Sequence, residues 1–150
     1  MSALTIFNVL IVAPVFAKDI APGFAAGTMI STPQGDITVE NLVTGDLIIG
    51  YNFETHQSEE NIISEIKSKS SLSYYLVNDR TKITGTSSIF VKTQNNPTLS
   101  TIQQLKLQEE LFSKDHASIN LQSLRQIVKP TEIYQISLEN PIGNLFAIMN

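Results

Sequence analysis

An all-β fold is what this chain predicts, and three observations carry the prediction. Short segments rich in Ile, Val, Thr, Tyr and Phe recur along it, Gly, Asn, Asp, Ser and Pro punctuate the intervals, and no long stretch shows apolar residues at helical spacing. With 150 residues, 42% of them apolar and 16% charged, the chain is one domain in size and apolar enough to bury a core. The net charge is −4, and no cluster of Lys and Arg marks the footprint of a phosphate backbone, so nucleic acid is not an expected partner. The absence of cysteine excludes disulfides, thiolate metal sites and a thiol nucleophile from this chain.

The elements follow in order. Leu4 to Phe16 is an apolar run without charge, shorter than the roughly twenty residues a membrane-spanning helix needs. With Val15-Phe16-Ala17 as a cleavage site and the polar Lys18-Asp19 after it, residues 1–17 read as a signal peptide, which makes the expected location secreted or periplasmic. The alternative is a buried N-terminal strand or helix. Residues 18–150 then form a single domain, with no membrane contact after signal removal.

Thr28 to Thr32, the turn Pro33-Gln34-Gly35 and Asp36 to Val39 form a hairpin signature, because Pro presets one turn dihedral and Gly tolerates the left-handed one. Further strands are expected at Asp46–Asn52, Asn61–Ser68, Leu72–Asn78, Lys82–Thr84, Ile89–Thr93 and Glu132–Leu138. In the last of these Ile133 and Tyr134 are adjacent, as expected of a central strand with partners on both faces. Ile102–Phe112 and Ala117–Val128 fit helix and strand spacing about equally, with the turn Ser113-Lys114-Asp115-His116 between them. No internal repeat is evident.

Candidate chemistry is sparse. His56 and His116 lie far apart in polar turns, no paired histidines stand at ligand spacing, and so no metal or cofactor is expected. Glu59-Glu60 and Glu109-Glu110 are the adjacent acids available for acid/base work, and on polar segments such pairs read as solvated surface.

The segment Gly23-Phe24-Ala25-Ala26-Gly27-Thr28, continuing through Thr38-Val39-Glu40-Asn41-Leu42 to Gly45-Asp46-Leu47-Ile48, resembles the opening of a Hint domain, the self-processing module shared by inteins and the hedgehog C-terminal region. Gly27, Thr28, Gly35, Val39, Glu40, Leu42, Gly45 and Asp46 stand at matching spacing. Lys82-Ile83-Thr84-Gly85-Thr86-Ser87 is similar to the family's Thr-x-x-His element, with Thr84 retained and Ser87 where the histidine belongs. Glu132 to Glu139 and Asn144 to Ala147 are similar to the last strands of the fold, which run toward a terminal His-Asn pair. Here Met149-Asn150 stands in that place. The resemblance implies a flat, pseudo-two-fold β domain with both termini at a central cleft.

It also implies a chemistry, against which the residues can be checked. The family begins autoprocessing with a Cys, Ser or Thr attacking the carbonyl before it, and Gly23, at that position, has no side chain. Ser87 offers a hydrogen bond but no group titrating near neutrality, and loss of a general acid costs on the order of 10²–10⁴-fold. Asn150 is present without a preceding histidine. If cleavage follows Ala17, only Lys18 to Pro22 precede position 23, and nothing follows Asn150 to be released. Gly23, Thr84, Ser87 and Asn150 are therefore expected to be vestigial, in a domain that holds an extended peptide or protein partner by strand pairing. Two alternatives stand beside this: an active self-processing domain using a displaced hydroxyl from Ser31, Thr28 or Ser2, and an unrelated secreted β-sandwich binding module.

Overall fold

The computed structural model describes residues 23–52, 54–85, 88–93, 96–112 and 119–140; side chains between 86 and 99 lie outside the description. The expected signal peptide, Ser2, Ser87, His116 and Asn150 all lie outside the described residues. The described chain is built of strands: β1 Phe24–Ala25, β2 Met29–Thr32, β3 Gly35–Thr38, β4 Leu47–Asn52, β5 Gln57–Val77, β6 Thr81–Ile83, β7 Ser88–Thr93, β8 Asn96–Thr101, β9 Glu110–Leu111, β10 Ile119–Asn120 and β11 Leu124–Leu138. The helical elements among the described residues are two short 3-10 turns, Val39–Asn41 and Ile102–Gln104.

One five-stranded sheet has the order β11-β1-β6-β5-β4, with β11 also paired to β5; a four-stranded sheet runs β10-β9-β7-β8, and β2-β3 is a hairpin. That hairpin pairs Ile30 with Ile37 and Thr32 with Gly35, and Gly35 takes φ of 113°, which a side chain would resist. The segments expected as separate strands, Asn61–Ser68 and Leu72–Asn78, are one continuous strand, β5. Their polar interval Lys69-Ser70-Ser71 is held in register by β11, Ser70 opposite Glu132 and Lys69 opposite Ile133. Glu132–Leu138 is central as expected: Ile133 pairs with Ala25 on one side and Lys69 on the other, and Tyr134 with Phe24 and Ser68. Of the two ambiguous stretches, the first becomes a 3-10 turn and β9, and the second supplies β10 and the start of β11. The strand β8 had no counterpart in the expectation.

The expected pseudo-two-fold arrangement appears in the two 3-10 turns, although the sequence carries no internal repeat. In the first, Leu42 N–H donates to Val39 O, Val43 N–H to Asp46 Oδ2 (2.9 Å), Gly45 N–H to Ile63 O (2.8 Å) and Ile63 N–H to Asp46 O (2.9 Å). In the second, Leu105 N–H donates to Ile102 O, Lys106 N–H to Glu109 Oε1 (3.1 Å), Gln108 N–H to Leu121 O (2.7 Å) and Leu121 N–H to Glu109 O (2.8 Å). Each turn follows an antiparallel hairpin, β2-β3 or β7-β8, and plugs a core with one buried aliphatic, Val39 or Ile102. The molecule is thus a pseudo-two-fold pair of halves.

Each half has its own core. Ile30, Val39, Leu42, Ile48 and Ile63 fill the first, and Val77, Ile83, Ile102, Leu111 and Leu121 the second. Phe24 packs against both, and Ala25, Tyr74 and Ile133 form a separate third cluster. Strand β1 is therefore set where the halves meet, between β11 and β6.

Candidate functional site

The site is built around Gly23, the residue that leads into β1. Thr84 closes β6 on its C-terminal side and is 2% exposed. Gly23 N–H donates to Thr84 Oγ1 (3.2 Å), and Thr84 N–H donates to Gly23 O (3.0 Å), so both polar groups of the buried Gly23 backbone are bonded to one residue. The nitrogen held this way belongs to the peptide joining residues 22 and 23. Of the four expected vestigial positions, the structure brings Gly23 and Thr84 together, while Ser87 and Asn150 lie outside the described residues.

A hydroxyl therefore touches the 22–23 peptide, but at its nitrogen and as an acceptor. Attack requires an oxygen at the carbonyl carbon. Thr28, weighed as a displaced nucleophile, is fully buried just before β2, where Oγ1 donates to Lys82 O (3.1 Å) and accepts from Lys82 N–H (3.2 Å). Both bonds tie the start of the β2-β3 hairpin to β6. Ser31, the other candidate, is fully buried in β2, and its Oγ has no hydrogen-bond partner among the described residues. Its backbone lies in the middle of the β2-β3 ladder, opposite Asp36.

Lys82 extends over the end of β1. Its Nζ lies 3.5 Å from Ala26 O and 5.9 Å from the centre of the Tyr74 ring. Gly27 N–H donates to Glu40 Oε2 (2.8 Å), which gives the expected Gly27 and Glu40 positions a shared structural task. On β11, burial raises the Tyr134 phenol above its usual range, and the charge of Glu132, a hydrogen bond to it and the charge of Glu40 add to the effect. Burial likewise raises Tyr75, whose ring packs against Gly85 beside Thr84.

The remaining candidates do not converge. His56 is exposed with φ of 57° in the β4-β5 turn. Glu59 accepts from Asn52 Nδ2 (3.1 Å) and Glu109 from Lys106 N–H (3.1 Å), both local contacts. No cluster of three metal-ligating side chains occurs among the described residues, and no helix there is long and apolar enough to cross a membrane. Sequence reasoning missed Ile133 and Tyr134 as the wall behind Gly23. Their strand was expected to be central, but its partner across the sheet was not indicated by any local signal.

This arrangement, an N-terminal strand laid between two pseudo-equivalent halves with a threonine on its leading peptide, is the Hint fold of inteins. A bacterial intein-like domain from Clostridium thermocellum superposes with a TM-score of 0.71 at 19% sequence identity, covering 87% of this chain and 100% of that one. The DnaB intein from Synechocystis gives 0.65 at 17% identity, over 85% and 94% of the two chains, and the TvoVMA intein 0.68 at 11%, over 84% and 92%. No protein-family model and no curated protein matches the chain. The fold sets aside the unrelated β-sandwich.

Proposed function

We propose that this chain is an exported Hint-fold domain that does not process itself at residue 23 and serves as a binding or structural module for an extended peptide or protein partner. One observation carries the reading: the residue at the head of β1, where autoprocessing would place its nucleophile, is a glycine whose backbone is fully engaged with Thr84. Without a side-chain oxygen or sulfur there, the peptide before it has no covalent route to an ester. Export rests on the apolar run before Ala17, and the peptide-like partner on strand pairing as a mode of recognition.

The displaced-hydroxyl reading has one observation in its favour, the unpartnered Ser31 Oγ. Acting there would cut β2 between Ile30 and Ser31, inside the first core, at the cost of the fold. The test is a fusion with a foreign protein on each side, followed by intact mass. The proposed module keeps both partners over days; release of either one at Gly23, Ser31 or Asn150 would overturn it.

A further inference from the structure

We propose that Ile133 and the carbonyl of Tyr134 form a steric gate that admits only glycine at position 23, making the 22–23 peptide a permanent junction. The consequence for processing rests on the functional reading above; the gate itself stands on geometry. A Cβ placed on Gly23 would lie 2.7 Å from Ile133 Cγ2, 2.7 Å from Tyr134 O and 3.2 Å from Tyr134 C. Carbon and oxygen atoms that are not bonded settle at about 3.5 Å, and interiors this dense yield little.

Neither neighbour has room to give way. Tyr134 O belongs to the backbone of β11, paired on one side with Phe24 and on the other with Ser68. Ile133 is 2% exposed, its branch is fixed at Cβ, and it packs with Ala25 and Tyr74. Gly23 cannot retreat either, because Thr84 holds its N–H and its carbonyl. By contrast, a Cβ at Gly35 or Gly45 would meet nothing within 4 Å, and at Gly27 and Gly85 it would meet only side-chain atoms, Lys82 Nζ at 3.3 Å and Tyr75 Cε1 at 3.1 Å, so the contact with a backbone atom below 3.0 Å falls at Gly23. Glycine at 23 is thus more than a missing nucleophile: the space a nucleophile's first carbon needs is filled by β11. A Gly23→Cys change alone would not restore a reaction centre.

The experiment is a double-mutant cycle on the full chain with thermal unfolding as the readout. Gly23→Ala is expected to lower the midpoint by about 5–10 °C. Ile133→Leu keeps the side-chain volume but removes the Cγ2 branch, and in that background the Gly23→Ala penalty should shrink without vanishing, because Tyr134 O stays in place. Ile133→Val keeps Cγ2, and there the penalty should persist. In parallel, Gly23→Cys with a protein fused upstream is treated with hydroxylamine, which would release that protein from a thioester at position 23; none is expected. The gate is overturned if Gly23→Ala leaves the midpoint unchanged, if its penalty is the same in all three backgrounds, or if hydroxylamine frees the upstream protein. These outcomes are separable from failure of the functional reading, which would show as spontaneous release from the unaltered glycine chain.

Discussion

At Gln108 the backbone takes φ of 71°, a left-handed conformation that costs a side-chain-bearing residue about 1–2 kcal/mol. The matching residue in the other half is Gly45, with φ of 95° and open space around it. Gln108→Gly is therefore expected to stabilise the chain by up to about 1 kcal/mol, the strain relieved being partly offset by glycine's added freedom when unfolded. Gly45→Ala should cost about 1–2 kcal/mol with no clash involved. Urea midpoints of both variants check the pair. Ser31 supplies a second test at this scale: its buried hydroxyl lacks a partner among the described residues, so Ser31→Ala should raise stability by about 1 kcal/mol. A loss on that change would mean that the hydroxyl is bonded in solution.

Among the elements, the strands with strong local signals were legible. The β2-β3 hairpin followed from Pro33-Gln34-Gly35 between apolar segments, and the central place of β11 from adjacent Ile133 and Tyr134. Where the signal is tertiary it was hidden. Lys69-Ser70-Ser71 reads as a break, yet β11 carries β5 across it. The duplicated turn escaped notice because Thr38-Val39-Glu40-Asn41-Leu42-Val43-Thr44-Gly45-Asp46 and Thr101-Ile102-Gln103-Gln104-Leu105-Lys106-Leu107-Gln108-Glu109 share little beyond Thr and Leu. Even the left-handed position is glycine in one and glutamine in the other. The site was half legible: Gly23 and Thr84 stood out through the resemblance to Hint domains, while Ile133 came to the same place through sheet order alone. Strand β1 offers the sharpest test of this scale. Phe24 packs on both cores, so Phe24→Ala should cost about 3 kcal/mol and loosen both halves together. Hydrogen exchange at Ile48 and at Leu111 would register that as parallel loss of protection.

For the whole molecule, alkaline pH is the informative variable. Burial keeps the phenols of Tyr75 and Tyr134 protonated beyond the ordinary value of 10.0. The native state thus holds protons that the unfolded chain has begun to lose. The stability this gives is complete below pH 10 and disappears as pH rises through the raised values. Urea midpoints should fall above pH 10, and the fall should be shallower in Tyr75→Phe/Tyr134→Phe. The first half also closes over a long distance in sequence. Asn61, buried at the start of the β5-β11 ribbon, accepts from Asn140 N–H (3.2 Å), closing a separation of 79 residues. Closures of that length are slow to find, so folding should be slow for a domain of this size.

The ribbon has a consequence for synthesis on the ribosome. Strand β5 emerges well before β11 has been translated, and until then its long edge could capture a neighbouring nascent chain. The stretch most exposed to that hazard carries Glu65, Lys67, Lys69 and a run of serines, with Lys67 and Glu65 3.2 Å apart on the finished surface. Charge and hydroxyl on a waiting strand deter sticky self-association. The polar interval that disguises β5 as two segments thus makes its waiting edge a poor template for pairing with another chain.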